Sequence, residues 1–191
     1  MKREALLSSV RDMLTDHRFR HTLGVVETAI KLATRFGADR EKAELAAILH
    51  DCAKYWSEDE MRDIIRKEPE LPDDLLDYDK ELWHAPVGSV IIQRQFAVTD
   101  PDIIAAVRYH TTGRVGMTLL EKIVCLADYI EPNRKFPGVD DIRALAEHDL
   151  NLALAMALGG TIRFLIENRK RVYPLTLLTY NDLLASREER R

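Results

Sequence analysis

The sequence predicts an all-α protein, and three observations predict it. Apolar residues recur at spacings of three and four along most of the chain, sustained period-two alternation is absent, and helix-start signals precede the apolar runs. A chain of 191 residues favours one compact domain with a substantial core. With 46% apolar and 31% charged residues, the composition is far from that of disorder, so the domain should fold unaided.

Leu6, Leu7, Val10 and Met13 mark a first helix. Phe19, Leu23, Val26, Ile30 and Ala33 mark a second that stops at Gly37. A third runs from Asp39 to about Lys54 with Leu45, Ile48 and Leu49 on its buried face, and a short one follows Ser57, where Ser57 and Glu60 have capping-box spacing. The acidic, proline-containing segment EPELPDDLLDYDK reads as a loop with at most one helical turn. Helix resumes from about Leu82 to Phe96; Asp100 then serves as N-cap with Pro101 at the first helical position, opening a helix that runs to about His110. Thr118 and Glu121 repeat the capping box before LLEKIVCLADYIE. Two more helical stretches occupy about Asp140 to Lys170, and a short tail from Pro174 ends in the charged run SREERR. No repeat, low-complexity linker or strand-rich block calls for a second domain.

A formal charge of -4 provides no broad basic field, which argues against DNA or RNA as a partner and leaves small anionic ligands open. Cys52 and Cys125 lie inside apolar helical patterns and read as reduced core thiols. The N-terminus lacks a long apolar run with a cleavage site, and no stretch of roughly 18 apolar residues is seen. The expectation is a cytoplasmic protein with no membrane association.

Chemistry is signalled by histidines and acids in apolar surroundings. Composition alone yields about half of one adjacent His-Asp pair by chance, so His50-Asp51 carries little by itself. The second pair, His148-Asp149 in LAEHDLN, is explained by a polar helix face. His50-Asp51 instead ends the apolar run LAAILHDCAK, where a carboxylate is costly unless it is paired or coordinates a cation. Taken alone, His50 fits a satisfied core histidine. His21 shares a helix face with Val25, His84 opens a helix, His110 closes one, and Asp128 interrupts KIVCLADYI. Each has a bland reading, but their coincidence with His50-Asp51 points to a shared cation.

Imidazoles with carboxylates and no thiolate suit iron, manganese, zinc or nickel. Such a centre activates water and polarises phosphoryl oxygens. Arg18, Lys54, Arg114 and Arg134 stand within a few residues of the candidate ligands, where phosphate-pairing cations belong, although each alone reads as a solvated charge. As a set they favour a polyphosphate substrate.

The order His21, His50-Asp51, His84, His110, Asp128 resembles the HD superfamily of metal-dependent phosphohydrolases, and so implies an HD-domain helical bundle. The blocks HRFRHTLGV, LHDCAK, HAPVGSVI, YHTTGRVGMTLLEKIVCLADYIEPNR and VYPLTLLTYNDL look like one branch, the bacterial YqeK-like symmetrical diadenosine tetraphosphate hydrolases. The resemblance implies a core over about 17–132, and C-terminal helices with a nucleotide-contacting tail over about 139–186. It implies an iron-type centre held by His21, His50, Asp51 and Asp128, with His84 and His110 facing the phosphates or completing a second metal site. The nucleotide would be held by Arg18, Thr111, Arg134 and the segment Tyr173, Pro174, Leu175, Thr176, Leu177 and Leu178, with Lys54 a phosphate contact. The implied reaction is cleavage to two ADP by metal-activated water, with Asp51 orienting the water and His84 or His110 protonating the leaving ADP. Apolar residues of the last helices suit a homodimer face. Three rivals stand beside this reading: an HD phosphohydrolase for a nucleoside triphosphate, 5'-nucleotide or guanosine alarmone; a nucleotide-binding regulator without turnover; and a structural helical adaptor.

Overall fold

A computed structural model describes residues 3–188, and within these the chain forms ten α-helices and no strand. The helices are α1 (Arg3–Met13), α2 (Asp16–Phe36), α3 (Arg40–Leu49), α4 (Glu58–Lys67), α5 (His84–Phe96), α6 (Pro101–Arg108), α7 (Leu119–Ile130), α8 (Val139–Ala146), α9 (Leu150–Glu167) and α10 (Pro174–Glu188). The all-α, single-domain expectation holds. The side chains of the terminal SREERR run lie outside the described residues.

Local chemistry sets most boundaries. Thr15 caps α2 by accepting from the Arg18 amide, and Gly37 ends it in the left-handed conformation at φ 76°. Asp39, Asp100 and Asp149 cap α3, α6 and α9 with their carboxylates. Both capping boxes form, Ser57 with Glu60 before α4 and Thr118 with Glu121 before α7. His148 is exposed and Asp149 is a cap, as a polar helix end requires.

Several expectations need correction. α3 stops at Leu49, and the chain continues to Trp56 as turns, so His50 and Asp51 stand just beyond a helix end. α6 likewise ends at Arg108, two residues before His110. Leu23 is 40% exposed, because the inner face of α2 is carried by His21, Val25, Ala29 and Leu32. The acidic loop holds two short 3-10 turns, Asp73–Asp77 and Lys80–Leu82. The tail from Pro174 is a fifteen-residue helix; its apolar residues fall on a face that is only legible once α9 lies beside it.

The core is a bundle in which α2 packs on α3 and α7, and α6 packs on α3, α5 and α7. α9 lies against α7, α8 and α10, forming an outer layer. α9 is also long and apolar enough, by length and composition, to cross a membrane, in contrast to the expectation that no such stretch occurs. Its first half is core: Leu150, Ala153, Leu154, Ala155, Ala157 and Leu158 are buried. α10 reaches the loop after α6, where Gly113 has φ 64° and a side chain would collide with Thr179. The Gly116 amide donates to Asp182 Oδ2 at 2.9 Å in the same junction.

Leu154 is fully buried between these layers. Leu154→Ala should lower the unfolding free energy by about 2–5 kcal/mol in urea titrations, the usual range for an unfilled core leucine site; a change below about 1 kcal/mol would show that α9 is not packed as described.

Candidate metal centre

Turns at helix ends deliver the site. His50 and Asp51 follow α3, His84 opens α5, and His110 follows α6, while His21 comes from α2 and Asp128 from α7. His21, His50, Asp51, His84 and His110 are all buried. Six positions spread over more than a hundred residues thus meet in one place.

Asp51 is the hub. Its Oδ2 lies 3.1 Å from His50 Nε2, 3.7 Å from His21 Nε2 and 3.1 Å from Arg18 Nη1. Its Oδ1 lies 3.2 Å from His84 Nε2, which in turn is 3.1 Å from His110 Nε2. Asp128 Oδ1 is 2.8 Å from His21 Nε2, 3.9 Å from His50 Nε2 and 2.6 Å from Arg134 Nη2. Two trios are close enough to hold a cation, His21-His50-Asp51 and Asp51-His84-His110, and Asp51 belongs to both.

Ring orientation makes the site ready for a cation. His50 Nδ1 lies 2.7 Å from the Ala47 carbonyl and His110 Nδ1 lies 2.7 Å from the Val107 carbonyl. A carbonyl oxygen only accepts, so both Nδ1 atoms carry hydrogen and the Nε2 atoms turn inward, where a neutral ring offers a lone pair to a cation. Each carbonyl belongs to the last turn of α3 or α6, where the helix supplies no amide to it. His21 is fixed the same way by a carboxylate, with Nδ1 3.0 Å from Glu131 Oε1. His21 Nε2, His50 Nε2 and Asp51 Oδ2 crowd together in a buried space yet form no hydrogen bond. Buried polar atoms left in that condition are costly unless a partner satisfies them, and a divalent cation suits this N/O set.

The electrostatics agree. Although burial raises it, the Asp51 carboxyl is held well below its ordinary value by the adjacent imidazoles of His50 and His84. Burial likewise opposes ionisation of Asp128, but His21, Arg134 and His50 hold its carboxyl well below the usual range. Against burial, Asp51 raises the pKa of His50. Burial, reinforced by His50 and His84, lowers His110 to about 3. The three buried or nearly buried carboxylates Asp51, Asp128 and Glu131 face two guanidiniums, Arg18 and Arg134, which leaves room for positive charge.

The other sequence candidates divide. Arg18 and Arg134 contact the site carboxylates directly. Lys54 pairs with Glu81 at 2.9 Å and lines a cavity that reaches His84 and Arg18. Thr111 follows His110, and its hydroxyl is buried without a partner. Arg114 is not brought to the cluster: it bonds the fully buried Glu121 at 2.7 Å and lies over the Tyr109 ring. Pairing with Glu121 inside the capping box competes for its charge. Tyr173 is buried against Tyr78 and Asp74. Pro174 to Leu178 form the start of α10, with Thr176 buried and Leu177 and Leu178 half exposed.

Sequence reasoning missed two supports. Glu131 sits at the end of α7, accepts from the Asn133 amide and side chain as well as meeting His21, and is buried. Gly24 on α2 makes space for it, since a Cβ there would overlap Glu131 Oε2. Arg143 on α8 clamps the same turn by donating to the carbonyls of Ile130, Glu131 and Arg134. The only local hint was an acid directly after the apolar run that holds Asp128; the partner of Glu131 lies 110 positions away.

Comparison with known proteins gives concordant findings. The HD domain family matches residues 18–133. The chain is 56% identical to the symmetrical bis(5'-nucleosyl)-tetraphosphatase of Bacillus subtilis, over 97% of this chain and 99% of that protein. It is 52% identical to the protein of the same name from Halalkalibacterium halodurans, over 96% of this chain and 98% of that one. A crystal structure of a predicted HD superfamily hydrolase from Clostridium acetobutylicum superposes with a TM-score of 0.92 at 36% identity, covering 97% of this chain and 98% of that one.

Glu131→Ala should weaken divalent-cation binding about 10- to 100-fold by competition titration with a chelating dye, the usual penalty for losing a group that orients a ligating histidine. Unchanged affinity would show that His21 is oriented without it.

Proposed function

The chain belongs to the HD domain family, and from that premise we propose that it is a metal-dependent hydrolase cleaving diadenosine tetraphosphate symmetrically to two ADP. The carrying observation is the pair of ligand trios sharing Asp51, flanked by Arg18 on one carboxylate and Arg134 on the other. The full-length likeness to two symmetrical bis(5'-nucleosyl)-tetraphosphatases supports the choice of substrate over a nucleoside triphosphate, 5'-nucleotide or guanosine alarmone.

His21, His50, Asp51 and Asp128 are assigned to one cation, with a second ion at Asp51, His84 and His110 as the alternative nuclearity. Iron follows from the resemblance; manganese, zinc and nickel satisfy the same donors. When bound, such an ion polarises phosphoryl oxygens and lowers the pKa of a water.

The chain's own residues supply the rest. Arg18 and Arg134 neutralise phosphate charge on either side of the cluster and keep the central anhydride in place. Asp51 orients the attacking water and takes up its proton. The water oxygen bonds to one central phosphorus, the bridging P–O bond breaks, and its electron pair leaves with the departing ADP. His84 is assigned the proton that ADP receives: His110 stays neutral because burial depresses it, so its Nε2 accepts from the His84 ring 3.1 Å away. Thr111 and the Tyr173 to Leu178 segment are assigned to one nucleotide half, since α10 docks on the loop that carries Thr111.

The whole chain is read as one HD-type domain, core 17–132 with helices over 139–186, acting in the cytoplasm on a small nucleotide rather than on nucleic acid. Exposed Met156, Phe164, Ile166, Leu177 and Leu178 on α9 and α10 support a homodimer.

Asp51→Ala and Asp128→Ala should each abolish hydrolysis of diadenosine tetraphosphate, followed by chromatography of ADP, while far-UV circular dichroism keeps its helical signal. Turnover at the wild-type rate in either variant excludes that residue as a ligand. Arg134→Ala should raise KM several-fold more for the tetraphosphate than for a small phosphate ester; equal shifts would place its guanidinium away from the polyphosphate.

A further inference from the structure

A dinucleoside tetraphosphate has two nucleosides, and the assignments above seat only one. That half is assigned to Arg134, Thr111 and the start of α10, which docks on the loop after Thr111. Across the cluster, Arg18 and His84, both touching Asp51, are also walls of a separate cavity of about 580 Å³. That volume lies within the range of small-ligand pockets, about 300–1,000 Å³. Lys54, Tyr55, Trp56 and Lys80 also line it, together with the carboxylates of Glu58 and Glu81.

The cavity is graded from inside to outside. At its inner end His84 is 4% exposed, and its Nε2 is committed to Asp51 and His110, while the Nδ1 on the opposite edge of the ring is buried with no partner. Such an atom points to a missing ligand. Lys54 is next, with its side chain only 15% exposed, whereas its carboxylate partner Glu81 is 64% exposed. Lys80 and Glu58 pair at the rim, about equally exposed. Cation within and carboxylates without match a nucleotide entering phosphate first, its ribose hydroxyls and base amine left facing acceptors. Tyr55 is half exposed, and its hydroxyl is 3.1 Å from Thr15 Oγ1, which fixes the ring as an aromatic platform. Trp56 packs beside it against the core.

We propose that this cleft seats the second nucleotide half, with the outer phosphates running past His84 to Lys54 and the base stacked on Tyr55. The proposal rests on the hydrolase reading and adds to it the way the enzyme selects a dinucleotide over a substrate with one nucleoside. Stacking of a base on an aromatic side chain contributes about 1–3 kcal/mol; at 1.4 kcal/mol per decade, removal of the ring reads as roughly a tenfold change.

The test uses the metal-loaded full chain with two probes, diadenosine tetraphosphate and adenosine 5'-tetraphosphate. Tyr55→Ala should raise KM for the dinucleotide about tenfold and change the KM of the single-nucleoside compound, or its Ki where it binds without turnover, less than twofold. Tyr55→Phe, which keeps the ring and loses only the bond to Thr15, should restore most of the dinucleotide affinity that Tyr55→Ala loses. An unchanged dinucleotide KM in Tyr55→Ala, or equal rises for both probes, overturns the second seat and leaves the hydrolase reading standing. A wild-type protein that cleaves neither compound overturns both.

Discussion

The Asp51 carboxylate is the constraint from which the rest of the site follows. A buried carboxylate without compensation is strongly unfavourable, and this one is 2% exposed. Its two oxygens are met by Arg18, His21, His50 and His84, which come from α2, from the turn after α3 and from the start of α5. Three separate elements must therefore converge before the charge is tolerable. That convergence shapes a space in which several donor atoms have no hydrogen-bond partner, as a cation site requires.

Helix ends, rather than helix faces, do the positioning. α3 and α6 each finish just before a histidine, and a last-turn carbonyl captures Nδ1 so that Nε2 turns inward. Had α3 run on to Lys54, its carbonyls would have been consumed by the i to i+4 ladder and the ring left free to turn. His21, in the middle of α2, has no such carbonyl available. Glu131 replaces it, which is why α2 carries Gly24 at the point of contact and why Arg143 on α8 braces the turn behind Glu131.

The site is asymmetric in charge but two-sided in shape. Arg134 stands by Asp128, toward the outer layer of α8 to α10, and Arg18 stands by Asp51, beside the cleft at Lys54 and Tyr55. A central anhydride lying across the two aspartates has phosphate-neutralising groups in both directions. This is the geometry that symmetrical cleavage of a dinucleotide needs, since both halves must be held while the middle is broken.

The helical class, the capping boxes at Ser57 and Thr118, the aspartate caps and the four inward histidines were all legible in the sequence, because each depends on spacing within a few residues of one chain segment. So was the contrast between His50-Asp51 and His148-Asp149, which is a contrast of apolar and polar neighbours. What only the tertiary structure decided depends on residues far apart in the chain. Glu131 finds His21 across 110 positions, Arg114 is drawn away to Glu121, and Pro174 to Glu188 becomes a helix because α9 and the loop at Gly113 offer it a surface. Which nitrogen of each imidazole faces the cation is likewise a matter of which acceptor the fold places behind the ring, and local periodicity carries no record of that.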